Sequence, residues 1–130
     1  AKGGFLLLSA DYRIGVEGDF KIGLNEVMIG MTMHHAGIAI ARAKLSHTYL
    51  DRSVNNSEIY NPTNAIKAGF LDVIVPKDKL LPTAIKAAEL FSKLNEKAHA
   101  ATKLRVRKPH LSALEKAIEI DLQEEIFINS

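Results

Sequence analysis

NPTNAIKAGFLDVIVP, at residues 61–76, contains signals for a helix, for the end of that helix and for a following strand. Asn61 followed by Pro62 is a favourable N-cap and first-turn pair for a helix, and Gly69 stands where a glycine ends such a helix. The β-branched run at 71–75 then predicts a strand that Pro76 closes. A helix, a tight turn and a strand in so short a stretch predict a mixed α/β chain.

The residues before this stretch predict further short elements. Gly3 and Gly4 precede the apolar run 5–8, which fits either a buried strand or a short buried helix that the glycines open,. Residues 12–16 and 20–22 predict two strands joined by a turn at 17–19. Helical spacing of apolar residues predicts a helix over 37–45, followed by a second helical piece that runs to residue 50.

Beyond Pro82 the pattern is helical to the end of the chain. Two apolar stripes recur at helical spacing, and each fits either the core or a surface that faces a partner. The first stripe comprises Ala84, Ala87, Ala88, Phe91 and Leu94, and the second comprises Leu111, Leu114, Ile118, Leu122 and Ile126.

Composition excludes several classes of protein. The 130 residues are 47% hydrophobic and 25% charged, which is typical of a chain that forms a core,. A net charge of +2 is too small to make nucleic acid or an anionic membrane the default partner,. The chain has no cysteine, so disulfides, thiolate nucleophiles and sulfur-ligated zinc are excluded,. No apolar run approaches the roughly 18 residues of a membrane span, and no charged segment indicates a secretory signal, so we expect a soluble protein.

The histidines and serines lack the usual motifs of a catalytic or metal site. His34 and His35 are adjacent and diverge, while the other three histidines lie at unrelated spacings without an HExxH pattern,. We therefore expect no metal. The sequence also has no phosphate-binding glycine loop and no GxSxG serine motif,.

Glu26 is the one charged residue between Lys21 and His34. A carboxyl group among apolar neighbours has a raised proton affinity and is suited to proton transfer. The structural alternatives are that Glu26 caps a turn or pairs with Arg13. The glycine pair at 3–4 could place backbone amides toward an anion, although such a pair more often forms a turn.

Three segments in order resemble the C-terminal half of the crotonase superfamily, which includes the enoyl-CoA hydratases and isomerases. They are AKGGFLLLSADYR at 1–13, IGLNE at 22–26 and NPTNAIKAGFLDVIVP at 61–76. The resemblance covers essentially the whole chain and implies an α/β fold, the C-terminal half of a ββα spiral over 1–76 followed by helices over 77–130 that form oligomer contacts. It also implies that the segment beginning at Gly3 and Gly4 is a helix and not a strand.

The resemblance implies roles for single residues. Glu26 matches the glutamate that moves the substrate proton, and the amides of Lys2 and Gly3 match the oxyanion hole. Phe5 stands where hydratases have the first of their two glutamates, and Glu26 matches the second, which makes the chain most similar to the mitochondrial type of enoyl-CoA isomerase. Asn25, Met33 and His34 are then expected to contact substrate, and residues 33–36 replace a Pro-Gly-Ala-Gly-like turn and reshape the acyl pocket.

The remaining expectations concern partners. Residues 97–108 carry five basic side chains and no acid; they form either a solvated face or, with Lys103, Arg105 and Lys108, a site for the phosphates of coenzyme A. Coenzyme A is expected only as part of the substrate, without a separate cofactor. The resemblance further implies a homotrimer or hexamer, an N-terminal half that this chain lacks, and a cytoplasmic location, or a mitochondrial or peroxisomal one in a eukaryote.

Three other functions are kept as alternatives. The protein could be an enoyl-CoA hydratase, or a catalytically silent relative that binds coenzyme A esters without turnover. More remotely, the short helices between residues 45 and 70 and the basic stretch fit a helical module that binds nucleic acid.

Overall fold

The computed structural model describes residues 2–129, with side chains through residue 125. Eight helices and strands follow one another with short connections, and single 3-10 turns lie at His47–Tyr49 and Lys77–Lys79. In chain order they are α1 (Lys2–Leu8), β1 (Ile14–Val16), α2 (His35–Lys44), α3 (Leu50–Val54), α4 (Pro62–Ala68), β2 (Val73–Val75), α5 (Leu80–Ser92) and α6 (Glu96–Asn129).

The two strands form a parallel pair. Ile14 lies opposite Val73, and Val16 lies opposite Val75. The prediction of two strands joined at 17–19 was right only for the first, because β1 takes its partner from β2 and not from the next segment. Within 20–22, only Ile22 pairs, in an isolated antiparallel bridge with Tyr60.

The helix–turn–strand unit at 61–76 is as predicted. The side chain of Asn61 accepts a hydrogen bond from the amide of Asn64 at 2.8 Å, and Pro62 occupies the first turn of α4. Gly69 ends the helix with a φ of 103°. A Cβ at this position would also lie 2.9 Å from the carbonyl oxygen of Lys44, so the turn packs closely against the end of α2.

The core lies between α1, α2, α4 and the segments that precede them. Its most buried large side chains are Leu8, Leu24 and Phe70. The ring of Tyr60 packs against that of Phe70 in a tilted arrangement with centroids 6.0 Å apart, and its hydroxyl shares a hydrogen bond of 2.9 Å with the hydroxyl of Ser53. The predicted helix over 37–45 is α2, and the second helical piece extends past residue 50 to the end of α3.

The C-terminal helices lie mostly outside this core. α6 packs against α2. Among its side chains through residue 125, the buried apolar one is Ala117, which the predicted stripe did not include. Leu111, Ile118 and Leu122 are exposed instead, and the side chain of Ile126 lies outside the described part. Phe91 and Leu94 of the first stripe are exposed as well. Of the two interpretations, the exposure favours a surface that faces a partner.

Within residues 2–129, no helix combines the length and the apolar character that crossing a membrane requires.

Candidate active site

α1 begins at the glycine pair, as the helical interpretation predicted. It spans Lys2–Leu8, with Lys2 and Gly3 exposed and Gly4 buried. The amides of a first helical turn have no acceptor within the helix, so those of Lys2 and Gly3 are available to an acceptor outside it.

Gly4 brings this first turn against the segment that leads to Glu26. A Cβ at Gly4 would lie 3.0 Å from the carbonyl oxygen of Gly23 and 3.0 Å from Cδ2 of Leu24. Gly23 is confined in turn, because a Cβ there would lie 2.5 Å from Cδ1 of Ile59. The absence of a side chain at Gly4 thus lets α1 approach residues 23–24 closely, while its absence at Gly23 makes room for Ile59. Glu26 follows two residues after Leu24.

Glu26 begins a compact hydrogen-bonded turn. Its carbonyl oxygen accepts from the amides of Ile29 at 3.2 Å and Met31 at 2.8 Å. The turn is fastened from outside by Ser57, whose hydroxyl accepts a hydrogen bond from the amide of Met28 at 3.0 Å. Ser57 is itself buried, with a positive φ of 51°. These contacts fix the backbone from which the Glu26 side chain projects.

The carboxylate of Glu26 is buried without a partner. The residue is 6% exposed, and neither Oε1 nor Oε2 has a hydrogen-bond partner among the described residues. Buried polar groups are ordinarily satisfied, so an unsatisfied carboxylate calls for an explanation, of which a catalytic role is one. A carboxylate that is not engaged by the protein is free to exchange a proton with a bound molecule.

The alternative pairing of Glu26 with Arg13 is wrong, because Arg13 is occupied elsewhere. Its Nε lies 3.2 Å from Oδ2 of Asp72, and its Nη1 donates to the carbonyl oxygen of Gly69 at 2.6 Å. The amide of Arg13 also donates to Oδ2 of Asp72, at 2.8 Å. This network joins β1 to the turn before β2 and leaves Glu26 unpaired.

Phe5, Met33 and His34 come together beside the core. The rings of Phe5 and His34 have centroids 5.6 Å apart, and Met33 is buried. Nδ1 of His34 accepts a hydrogen bond of 2.7 Å from the amide of Gly37, which caps α2. A Cβ at Gly37 would lie 2.8 Å from Sδ of Met33 and 2.7 Å from Cε1 of His34, so Gly37 allows both side chains their positions.

Asn25 is half-buried and precedes Glu26, and its carbonyl oxygen accepts from the amide of Ile29 at 3.1 Å. Sequence reasoning missed the apolar surface that this turn presents, in which Val27, Met28, Ile29 and Met31 are exposed. A hollow of about 410 Å³ opens beside the turn, and Met31, Met33 and Ile38 help to line it. The uncharged run between Lys21 and His34 was the signal that could have revealed it.

The three basic residues proposed for phosphate do not form one cluster. Lys103 pairs with Asp11, which also lies 2.8 Å from Nη1 of Arg107. Arg105 and Lys108 line a shallow groove on another part of α6, together with Glu115. The hydrogen bond from Lys103 lowers the pKa of Asp11, burial opposes this, and Arg107 lowers the pKa further.

One cluster of possible metal ligands was invisible in the sequence. His35, Asp121 and Glu124 offer ligand atoms within 4.8 Å of one another. Their contacts have a structural explanation: both oxygens of Asp121 accept from the amides of His35 and Ala36 at 2.8 Å, and Glu124 lies 3.1 Å from Nε2 of His35. Asp121 therefore caps α2 from α6, and the expectation of no metal remains a prediction.

Comparison with known proteins identifies relatives along nearly the whole chain. Residues 1–127 match the family model described as enoyl-CoA hydratase/isomerase, so the match includes the basic stretch that suggested a nucleic-acid module. Among characterised proteins, the human mitochondrial enoyl-CoA delta isomerase 1 is 27% identical over 124 residues, which are 95% of this chain and 41% of that protein.

Solved structures agree in fold. An enoyl-CoA hydratase/isomerase family protein from Pseudomonas syringae is 56% identical with a TM-score of 0.92, over 95% of this chain and 54% of that one. An enoyl-CoA isomerase from Mycobacterium tuberculosis is 35% identical with a TM-score of 0.90, over the same shares of the two chains. The chain thus spans about half the length of the relatives it matches.

Proposed function

Because the chain belongs to the enoyl-CoA hydratase/isomerase family, we propose that its protein is an enoyl-CoA isomerase that shifts a double bond in an acyl-CoA thioester. The observation that carries the proposal is the buried, unpartnered carboxylate of Glu26. The chain covers about half of its relatives, so this activity is proposed for the complete polypeptide.

Glu26 acts as the single base and acid of the reaction. It removes a proton from C2 of a 3-enoyl thioester, and the electron pair of that C–H bond forms a dienolate whose negative charge lies largely on the thioester oxygen. The protonated Glu26 then returns the proton to C4, which leaves the double bond between C2 and C3. Because neither oxygen of Glu26 is committed to a neighbour within the described chain, the group can serve both steps.

The first turn of α1 supports the enolate. The amides of Lys2 and Gly3 are first-turn donors, and the contact of Gly4 with Leu24 keeps this turn beside the Glu26 segment. In the family resemblance a second donor comes from the N-terminal half, outside this chain. Loss of one such donor typically costs about 3 kcal/mol of transition-state stabilisation.

Phe5 favours isomerisation over hydration. Addition of water needs a second group to activate the water, and a phenyl ring cannot do so. Phe5 is half-buried and lies against the ring of His34, so it forms part of an apolar wall. Asn25, Met33 and His34 complete the proposed acyl pocket.

The proposal includes partners that follow from the resemblance. Coenzyme A is bound as part of the substrate, with Arg105 and Lys108 as candidate phosphate ligands and no separate cofactor. The exposed apolar residues of α5, together with Ile118 and Leu122 of α6, form contacts in a homotrimer or hexamer. The location is cytoplasmic, or mitochondrial or peroxisomal in a eukaryote.

The experiment incubates the complete polypeptide separately with a 3-enoyl-CoA and a 2-enoyl-CoA and follows double-bond migration and 3-hydroxyacyl product. We expect the first to be isomerised and the second not to be hydrated. Rapid hydration of the 2-enoyl ester would instead identify a hydratase. Binding of both esters without turnover would identify the catalytically silent relative.

A substitution at Phe5 tests the assignment of the position at which hydratases have the first of their two glutamates. Phe5→Glu supplies the carboxylate that hydratases have there, and we expect it to retain ester binding and to gain measurable hydration of the 2-enoyl ester. Phe5→Leu is the matched control, since it removes the ring without adding a base. Equal hydration by both variants would count against a role for this position in water activation.

A further inference from the structure

A crevice separates α2 from α6 near the end of α1, on residues that the proposed reaction does not use. It encloses about 390 Å³, which falls in the range of roughly 300–1,000 Å³ found for small-molecule sites. Its walls are mainly apolar and include Leu8, Ile40, Val106, Leu111 and Leu114.

Two small residues of α2 create this space. Ala39 and Ala43 are four residues apart and therefore lie on the same face of the helix. Both line the crevice, and their methyl groups leave room that larger side chains would fill. Val106 and Leu111 are exposed on the α6 side within this chain, so the crevice offers apolar surface that a ligand can cover.

The described side chains that line the crevice include basic groups but no acidic one. Lys44 and Arg107 both line it, as does His110. Asp11 is engaged by Arg107 at 2.8 Å and by Lys103; one carboxylate therefore serves two cations.

Lys44 forms no ion pair within the described part of the chain. The other nearby acid, Asp72, is held by Arg13. Burial lowers the pKa of Lys44, and the charges of Arg107 and Arg13 lower it further, against the opposing effect of Asp11 and Asp72. A surplus positive charge thus stands at an apolar crevice.

We propose that this crevice binds the anion of a medium-chain fatty acid, with the alkyl chain against the walls of α2 and α6 and the carboxylate at Lys44. The alkyl chain removes Val106 and Leu111 from water. The carboxylate supplies the charge-assisted hydrogen bond that Lys44 lacks. A neutral alcohol leaves Lys44 without an anion, and a short carboxylate does not cover the apolar walls.

The test is calorimetric titration of the complete polypeptide with decanoate below its micellar concentration, compared with decanol and acetate. We expect saturable binding of decanoate at least about tenfold tighter than that of either comparison compound. Equal affinity for decanol, or no saturable binding of decanoate, would overturn the proposal.

Substitutions locate the site. Lys44→Met keeps the side-chain length and removes the charge, and it should weaken decanoate binding about tenfold or more. Lys86→Met, at an exposed lysine of α5 that has no ion pair among the described residues, should not change the affinity. Equal effects of the two substitutions would overturn the role of Lys44.

Ala43→Leu separates this crevice from the proposed acyl pocket. The larger side chain fills the space between α2 and α6, so it should abolish decanoate binding while isomerase turnover persists. Retained decanoate binding in a folded Ala43→Leu protein would place the ligand elsewhere and overturn the proposal. If the variant fails to fold, the comparison of Lys44→Met with Lys86→Met decides. Because isomerase turnover is measured separately, failure here is distinguishable from failure of the proposed function.

Discussion

Gly4 of α1 lies against Leu24, so close that a methyl group on Gly4 would come within 3.0 Å of Cδ2 of that leucine. Leu24 is fully buried and directly precedes the Asn25–Glu26 pair. This contact couples the helix that carries the proposed oxyanion donors to the segment that carries the proposed base.

Gly4→Ala should destabilise the protein, because the methyl group also meets the carbonyl oxygen of Gly23 at 3.0 Å. Overpacking of this kind costs about 1–3 kcal/mol in the free energy of unfolding, measured by chemical denaturation. Gly3→Ala is the matched control, since a Cβ there has nothing within 4 Å and alanine favours the helix by up to about 1 kcal/mol. Equal stabilities for the two variants would show that the close approach at Gly4 is not structural.

Arg13→Ala should lower the free energy of unfolding by about 2 kcal/mol. The substitution leaves Asp72 without its guanidinium partner and the carbonyl of Gly69 without its donor, and hydrogen bonds to charged groups contribute about 1.5–3 kcal/mol. Arg42→Ala, at an exposed arginine of α2, should change stability by no more than about 0.5 kcal/mol. Indistinguishable denaturation curves for the two variants would contradict the structural role of Arg13.

The ion pairs of Asp11 should make stability depend on pH. The hydrogen bond from Lys103 is the largest cause of the lowered pKa of Asp11, and Arg107 adds to it. A carboxyl group whose pKa is lower in the folded state stabilises the fold at any pH above its unfolded-state pKa, here 3.8. That stabilisation is lost as the pH falls through the folded-state pKa.

The measurement compares unfolding of the unmodified protein and Asp11→Asn between pH 6 and pH 2.5. We expect the unmodified protein to be more stable at pH 6, and the difference to shrink below about pH 4. Because Asp11 is half exposed, high salt should reduce the difference at pH 6. A difference that is constant with pH would show that the pairing does not stabilise the fold.

Asp121→Ala should remove the two hydrogen bonds by which α6 caps the start of α2. Burial acts to raise the pKa of Asp121, but the hydrogen bonds from the amides of Ala36 and His35 outweigh it and lower the pKa. Loss of such a cap costs about 0.5–2 kcal/mol. Glu119→Ala, at an exposed residue of the same helix, is the control, and amide hydrogen exchange at His35 and Ala36 reports whether the cap is lost. Unchanged exchange in Asp121→Ala would contradict the cap.

The parts of the fold that local sequence signals predicted are those with local causes. Asn61 caps α4 through an amide three residues away, and Gly69 ends the same helix in the left-handed region. The partner of β1 could not be predicted, because Ile14 pairs with Val73, far along the chain. For the same reason, the apolar stripe on α6 did not predict that Ala117 is buried and Ile118 is exposed.

In the candidate site, too, local sequence signals predicted some features, whereas others depend on contacts between distant residues. An acid in a long uncharged run was enough to single out Glu26, but the competing partner Arg13 could be dismissed only when its bonds to Asp72 were seen. Likewise, the charge of Lys103 was visible in the sequence, whereas its pairing with Asp11 depends on how α6 lies on the rest of the fold.

The turnover of Glu26→Gln on a 3-enoyl-CoA, measured in the complete polypeptide, shows whether Glu26 is the group that moves the proton. The amide keeps the size of the side chain but cannot accept the proton from C2, so kcat should fall by about 10²–10⁴-fold while affinity for the ester is unchanged. Glu17→Gln, at an exposed residue after β1, should leave kcat unaltered. A Glu26→Gln protein that binds the ester and isomerises it within a few-fold of the normal rate would contradict the account.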